Sequence, residues 1–439
     1  MSPVAHCKVD RNKIAAGLAL PLALVAIALL CASPRLAAQG PPRHFAGDAE
    51  VALDSVLRDE DVQAALLHVN EHRKEMTETL VKLASVEAPS GKERARASLV
   101  AQRMREIGLK NVVLDAGPNP NVVGRIEGRS RGAILFVSTL DDLANVAELQ
   151  RRAARHPYVE GEKVMGPGTN TSATTASMLA AAAALASSGV KPAHDLIFAA
   201  VAEEETGLKG MKRLYTAQRD SIAAVVDVLG DGRSITYGAI GIDWWRIMAR
   251  GPGGHTLNGG LPNVNHGIAR AVDGLFAIHL PPKEDSTHTV LNVAMISSGD
   301  VFNHKPDSGW FSLDVRSLDA KILASTEDSV GAVLDRVTRE TGISFEMQEV
   351  QRTPGGQIAG AAKSPLVTTS VAIAKWLGMA PVLGNAGSAN MNVSIAGGTP
   401  SIGLGGERGG QRGYPDEWAD IPSMTRSAKH IVLLAATLQ

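Results

Sequence analysis

The sequence predicts an α/β fold interrupted by an inserted α+β unit. Three observations predict it. Short apolar runs alternate with helical stretches through the first half of the chain, the pattern of a sheet covered on both faces. After Gly241 the order becomes strand, helix, strands, helix, strand, and the α/β alternation returns after about Ala361. Finally, the apolar run over 196–201 ends directly in Ala202-Glu203-Glu204-Glu205-Thr206-Gly207. Acids at the carboxyl end of a buried strand stand where open α/β sheets bind ligands.

Each element follows from its local pattern. A helical stretch over 61–86 stops at Ala88-Pro89-Ser90-Gly91, and a second over 92–107 ends at Gly108, a residue suited to a left-handed C-cap. Short strands are expected over 112–114, 122–126 and 134–137. The tight turn Gly166-Pro167-Gly168-Thr169-Asn170-Thr171 opens an alanine-rich helix over 173–186, closed by Gly189. The strand over 196–201 delivers the glutamates. A short helix over 208–215 and a strand over 223–229 follow, the latter delivering Gly230-Asp231-Gly232. The inserted unit, 242–360, reads as a strand, a helix over 264–277, strands over 289–296 and 310–315, a second helix, and a strand over 343–349. That second helix carries Val330, Val333, Leu334 and Val337 on one face. The larger domain therefore comprises 39–241 and 361–439.

A chain of 439 residues can build two complete cores. Its net charge of -1, with both signs interspersed, excludes a basic nucleic-acid surface. Lys8, Arg11 and Lys13 precede an apolar stretch over 14–30, and small residues follow as far as Leu36-Ala37-Ala38-Gln39. That order predicts a signal peptide over 1–38 and export to the periplasm or the outside, with no membrane contact after cleavage. A retained anchor is the alternative, since the run is near the lower limit for a span. Cys7 and Cys31 both lie in this segment, so the mature chain would have no disulfide, thiolate metal site or cysteine nucleophile.

From Ala88-Pro89-Ser90-Gly91 to Asp416-Glu417-Trp418 the chain resembles the zinc exopeptidases and amidohydrolases that include peptidase T, glutamate carboxypeptidase, aminoacylase and succinyl-diaminopimelate desuccinylase. Three stretches carry the resemblance in order: Glu204-Glu205-Thr206-Gly207, then Gly251-Pro252-Gly253-Gly254-His255, then Asn303 through Arg316. It implies a zinc-exopeptidase-like (phosphorylase/hydrolase-like) catalytic domain with an inserted α+β ferredoxin-like dimerisation domain, hence a homodimer. It also implies roles. Glu204 matches the general base, and Glu205 and Asp231 match ligands of two zinc ions. His255 matches an oxyanion-stabilising histidine that reaches a partner subunit's site. Asn303 and Arg316 match groups that bind a substrate carboxylate. A planar guanidinium suits that last task on its own chemistry. Arg316 also has Asp314 and Asp319 nearby for a surface ion pair, and His255 also reads as a turn histidine.

The match departs from the family at three ligand positions. The His-x-Asp expected at a strand end reads Thr139-Leu140-Asp141. The bridging aspartate after Asn170 is Thr171. The last histidine, five residues before Trp418, is Gly413. Zinc sites normally hold three or four ligands, and one carboxylate per ion is too few. His156 and His304 are the nearest histidines in sequence that could substitute. Asp141, Asp142, Glu203, Glu204, Glu205 and Asp231 should still share one crevice, where some would hold their protons unusually tightly. Two outcomes follow: a single divalent cation on oxygen ligands, or no metal, with the acids acting as a general acid/base pair.

The expectation is an exported hydrolase of a small carboxylate-bearing peptide, amide or ester, with Glu204 as base. The alternative is a non-catalytic dimer that binds a peptide or amino-acid derivative.

Overall fold

The computed structural model describes residues 49–282 and 286–438, and its central sheet has eight strands. Four of them lie side by side in the order His194–Val201, Ser130–Thr139, Ile222–Val228, Ser401–Gly405, all parallel. Their carboxyl ends therefore open on one edge. Lys110–Leu114 and Val122–Ile126 extend the sheet on one side, and Ser234–Thr236 and Val382–Gly384 on the other.

The central strands are apolar on both faces because both faces are covered. Alternate residues feed different cores. Ile134, Phe136, Leu196 and Phe198 join the cluster under the helices Arg94–Ile107, Thr169–Ser187 and Ile421–Thr437. Leu135, Val137, Ile197, Ala199 and Val201 join Met211, Leu214 and Val393 on the opposite face. Each buried Leu, Val or Phe contributes about 1.5–3 kcal/mol. A one-residue register slip would exchange the two sets, so the strand ends are held in place.

The helices differ from expectation in detail. The stretch over 61–86 is two helices, Glu60–Glu71 and Arg73–Ala84, broken at His72 (φ -99°, ψ 22°). Arg94–Ile107 ends at Gly108 with φ 87°, the left-handed C-cap. The alanine-rich helix starts earlier than its alanines, at Thr169. Gly168 takes φ 85°, and a Cβ there would lie 2.3 Å from the Gln150 amide nitrogen.

From Gly241 to Thr353 the chain forms a separate antiparallel sheet of five strands with two helices, Val264–Phe276 and Ala320–Thr341. Ser344–Thr353 pairs with Gly241–Arg250, which pairs with Ser308–Ser317, which pairs with both Val290–Asn292 and Ile296–Ser298. This is the βαββαβ, ferredoxin-like order. The strand expected over 289–296 is thus two short ones. The Ser312 hydroxyl accepts from the N–H groups of Ala294 and Met295, while its own backbone N–H still donates to the Met295 carbonyl at 2.9 Å. This sheet has its own core around Ile247, Phe311, Val330 and Val337.

The expected signal segment, with Cys7 and Cys31, lies outside the described residues. Among those that are described, no helix is long and apolar enough to cross a membrane.

Candidate functional site

Each of the four central strands delivers polar residues at its carboxyl end. Ser130–Thr139 leads to Asp141 and Asp142, His194–Val201 to the glutamate run, Ile222–Val228 to Asp231, and Ser401–Gly405 to Arg408. The glutamate turn is pinned from below. Asp141 accepts the backbone N–H of Glu204 on one oxygen and that of Glu205 on the other, each at 3.0 Å. Glu93 accepts the N–H of Glu203 at 2.9 Å, and Glu203 sits at φ 57°, a strained conformation for a residue with a side chain. Asp141 therefore shapes the turn. The Glu203 carboxylate pairs with Arg213 at 3.0 Å and Lys209 at 3.4 Å.

Four more acids have cationic or backbone partners. Arg412 donates to Glu205. Asp231 is fully buried and uses both oxygens: one accepts the N–H groups of Arg233 and Glu407, the other the Arg426 guanidinium at 2.9 Å. Asp142 pairs with the buried Arg96 at 2.5 Å. Glu417 accepts the N–H of Asn170 at 2.9 Å and that of Gly413 at 3.0 Å, at the positive end of the helix Thr169–Ser187. Gly413 thus contributes a backbone donor. Thr139 accepts from the Asn390 amide at 3.1 Å, and Thr171 lies in the first turn of that same helix. Among the described residues, no group of three His, Cys, Asp or Glu side chains converges as a metal ion would require.

Glu204 holds its proton well above the usual carboxylate range, first through burial and then through the neighbouring charges of Glu205, Asp141 and Asp227. Burial raises Asp141 to about 6 against the pull of its two backbone bonds. Burial also raises Asp227 to about 7; one of its oxygens accepts from the Met391 N–H and the other has no partner among the described residues.

Glu204 lines a cavity of about 260 Å³ together with Thr139, Thr171, Ser388, Arg408 and Arg412. A larger groove of about 500 Å³ lies along the helix Arg73–Ala84 and includes none of the strand-end residues.

The inserted unit brings two expected residues together. Gly254–His255 pairs with His304–Lys305 as a two-stranded ribbon. The Asn303 amide donates to His255 Nε2 at 3.3 Å, and the His255 and His304 rings meet edge-on at 5.2 Å. No described hydrogen bond or ion pair joins this cluster to Glu204. His304 therefore belongs to the inserted unit, and His156 is exposed in a loop. Arg316 lies two residues beyond Asp314 on one strand and holds it through Nε at 3.0 Å and Nη2 at 2.9 Å.

Sequence reasoning missed Arg408 and Arg412. The signal was present: both lie within the five residues before the position where the last histidine was sought, in Arg408-Gly409-Gly410-Gln411-Arg412-Gly413. Asp227 and Asn390 gave no such signal, because a strand aspartate and a loop asparagine stand apart in sequence.

The sequence over residues 143–437 matches the model of Peptidase family M20/M25/M40. Among curated protein sequences none matches. Solved structures share the fold. Aminopeptidase PepT from Bacillus cereus has a TM-score of 0.68 at 18% identity, covering 83% of this chain and 98% of its own. A tripeptidase from Staphylococcus aureus gives 0.70 at 17%, with 83% and 98% covered. The YXEP protein of Bacillus subtilis, a dinuclear metal binding peptidase, gives 0.63 at 15%, with 84% and 98% covered. These likenesses carry the fold alone, whereas the family match spans some two-thirds of the chain and reaches over the glutamate turn, the inserted unit and the arginine loop. The chain belongs to Peptidase family M20/M25/M40.

Proposed function

We propose that this chain is an exported hydrolase acting on a small carboxylate-bearing peptide, amide or ester, with Glu204 as its proton-transfer group and without the zinc pair expected of its relatives. The observation that carries the reading is Glu204 itself: a carboxylate of raised proton affinity in the wall of a cavity at the parallel strands' carboxyl ends. When ionised it is a stronger base than an ordinary glutamate. It would take a proton from water as the water oxygen bonds to the substrate's carbonyl carbon. It would return that proton to the leaving nitrogen or oxygen as the bond to it breaks.

The donor set does not fit two zinc ions. Glu205 and Asp231 hold arginines, Thr139 and Thr171 are poor ligands, and Gly413 offers only backbone. His255 and Asn303 would complete the site from the inserted unit of a second copy, which makes the active form a homodimer.

The same ion pairs favour one alternative, a dimer that binds such ligands without turning them over, because they neutralise the acids in the resting state. Dipeptides, N-acyl amino acids and their esters, incubated with wild type and Glu204→Gln, separate the two. Turnover that disappears in the variant supports the hydrolase. Turnover unchanged by the substitution sinks it, and tight binding with no product leaves the binding dimer.

A further inference from the structure

We propose that Arg408 binds a monoanionic carboxylate of the ligand, in the part of the crevice where the relatives' metal ligands would converge. The identification of that ligand as a substrate rests on the hydrolase reading, but the binding itself does not.

Arg408 stands out by its lack of partners. Arg412 holds Glu205, Arg426 holds Asp231, Arg96 holds Asp142 and Arg213 holds Glu203. Among the described residues the Arg408 guanidinium makes no hydrogen bond and no ion pair, yet it lines the cavity beside Glu204. Burial, and next the charge of Arg412, lower its pKa to about 10, so it stays a cation at neutral pH. Leaving its donors unused is costly for a half-buried cation, even with the carboxylates of Glu204, Glu205 and Glu417 acting on it from a distance. An anion entering the cavity relieves that cost and gains a charge-assisted, two-point contact.

The surrounding groups narrow the anion. The hydroxyls of Thr139, Thr171 and Ser388 line the same cavity, and among the described residues none of them donates a hydrogen bond. Thr139 already accepts from Asn390, which leaves its proton to give. Neutral donors around one guanidinium suit a single planar negative group. The carboxylates of Glu204, Glu205 and Glu417 also act on Arg408, and they oppose a second negative charge. A carboxylate therefore fits better than a phosphate dianion. Arg316, the family's expected clamp, is occupied by Asp314.

The test is calorimetric binding to the purified full chain, with no turnover required. N-acetylglycine is the acid probe, N-acetylglycinamide its neutral counterpart, and inorganic phosphate the dianion. The acid should bind at least about tenfold more tightly than the amide or phosphate. Arg408→Gln should weaken the acid by about tenfold or more and leave the amide unchanged, while Arg408→Lys recovers part of the loss. Far-UV circular dichroism and the melting temperature confirm that each variant is folded. Equal binding of acid and amide overturns the assignment, as does an Arg408→Gln variant that binds like wild type, a loss that falls on Arg316→Gln instead, or no acid binding at millimolar concentration. Failure of hydrolysis with this binding pattern intact would remove the enzyme reading and leave the anion site standing.

Discussion

The guanidinium of Arg412 reaches across 207 residues of sequence to the carboxylate of Glu205. It joins the loop after the last central strand to the glutamate turn after another. The family position that the resemblance gives to Glu205 would have it face a metal ion. Here the positive charge is a side chain, fixed by folding and independent of metal supply. The expected consequence is indifference to metals. Chelation with EDTA, or addition of zinc, should leave the melting temperature within about 1 °C, whereas a ligand at a hundred times its Kd would add about 2.7 kcal/mol. Thermal melts beside elemental analysis of the same sample check this. Stabilisation by zinc at one or two equivalents would overturn it.

Removing the pairing cation should expose the crowding it relieves. Arg412→Ala leaves Glu205 beside Glu204 without its ion-pair partner. Both partners are partly exposed, at 32% and 23% of their side-chain surface, so the expected loss is modest, about 1–2 kcal/mol. It should be larger at pH 8 than at pH 5, because protonation relieves the repulsion. Denaturant melts at the two pH values measure it, and an equal loss at both would point to packing alone.

The buried carboxylates also set a stability profile across pH. Asp141 and Asp227 are raised to about 6 and about 7 from 3.8. Both bind a proton more tightly folded than unfolded. Their contribution is therefore complete below about pH 4 and is lost as pH rises through 6 and then 7. His430, buried and lowered to about 4, acts oppositely, losing stability as pH falls from 6.5 toward 4. The melting temperature should fall from pH 5.5 to pH 8, and Asp227→Asn should flatten that fall. A variant whose alkaline limb keeps the wild-type slope would remove Asp227 from the account.

Much of this could be read from the sequence, for an identifiable reason. The strand over 196–201 and its glutamates are local, an apolar run ending in acids, and local patterns survive into the structure. The break in Val290–Asn292 and Ile296–Ser298 was not legible, because it depends on Ser312 from another strand. The same holds for charge. The departures from the family motif expected at Thr139, Thr171 and Gly413 can be counted off the sequence, but the pairing of Arg412 with Glu205 and Arg426 with Asp231 is tertiary. The clamp expected of Arg316 rested on a family position. Asp314, two residues away on the same face of the strand, is one of the two ion-pair partners the sequence offered beside that reading, and the structure brings the two together.

Glu204→Gln should trade activity for stability. The wild-type carboxyl sits among Glu205, Asp141 and Asp227, and ionising it there is unfavourable. The amide keeps the shape and cannot ionise, so the variant should melt at a higher temperature than wild type at pH 8 and near the wild-type temperature at pH 5. A variant less stable at both pH values would show that the carboxylate has a structural partner instead.

The footing of the site is a buried ion pair between Arg96 and Asp142. Arg96 is 2% exposed and Asp142 is fully buried. Arg96 also donates to the carbonyl oxygens of Leu140 at 2.8 Å and Val86 at 2.6 Å, so one side chain ties the Asp141 strand end to the chain just before Ala88. Removing one charge strands the other in a medium that solvates it poorly. Arg96→Met should cost about 3–5 kcal/mol, and Asp142→Leu a comparable amount. The double variant should recover a large part of either loss, because no charge is left unpaired. Recovery should still be incomplete, since the two carbonyl oxygens lose their donor. Urea melts of the four proteins form the cycle. A double variant whose loss equals the sum of the two single losses would mean that the residues act independently, contrary to their 2.5 Å contact.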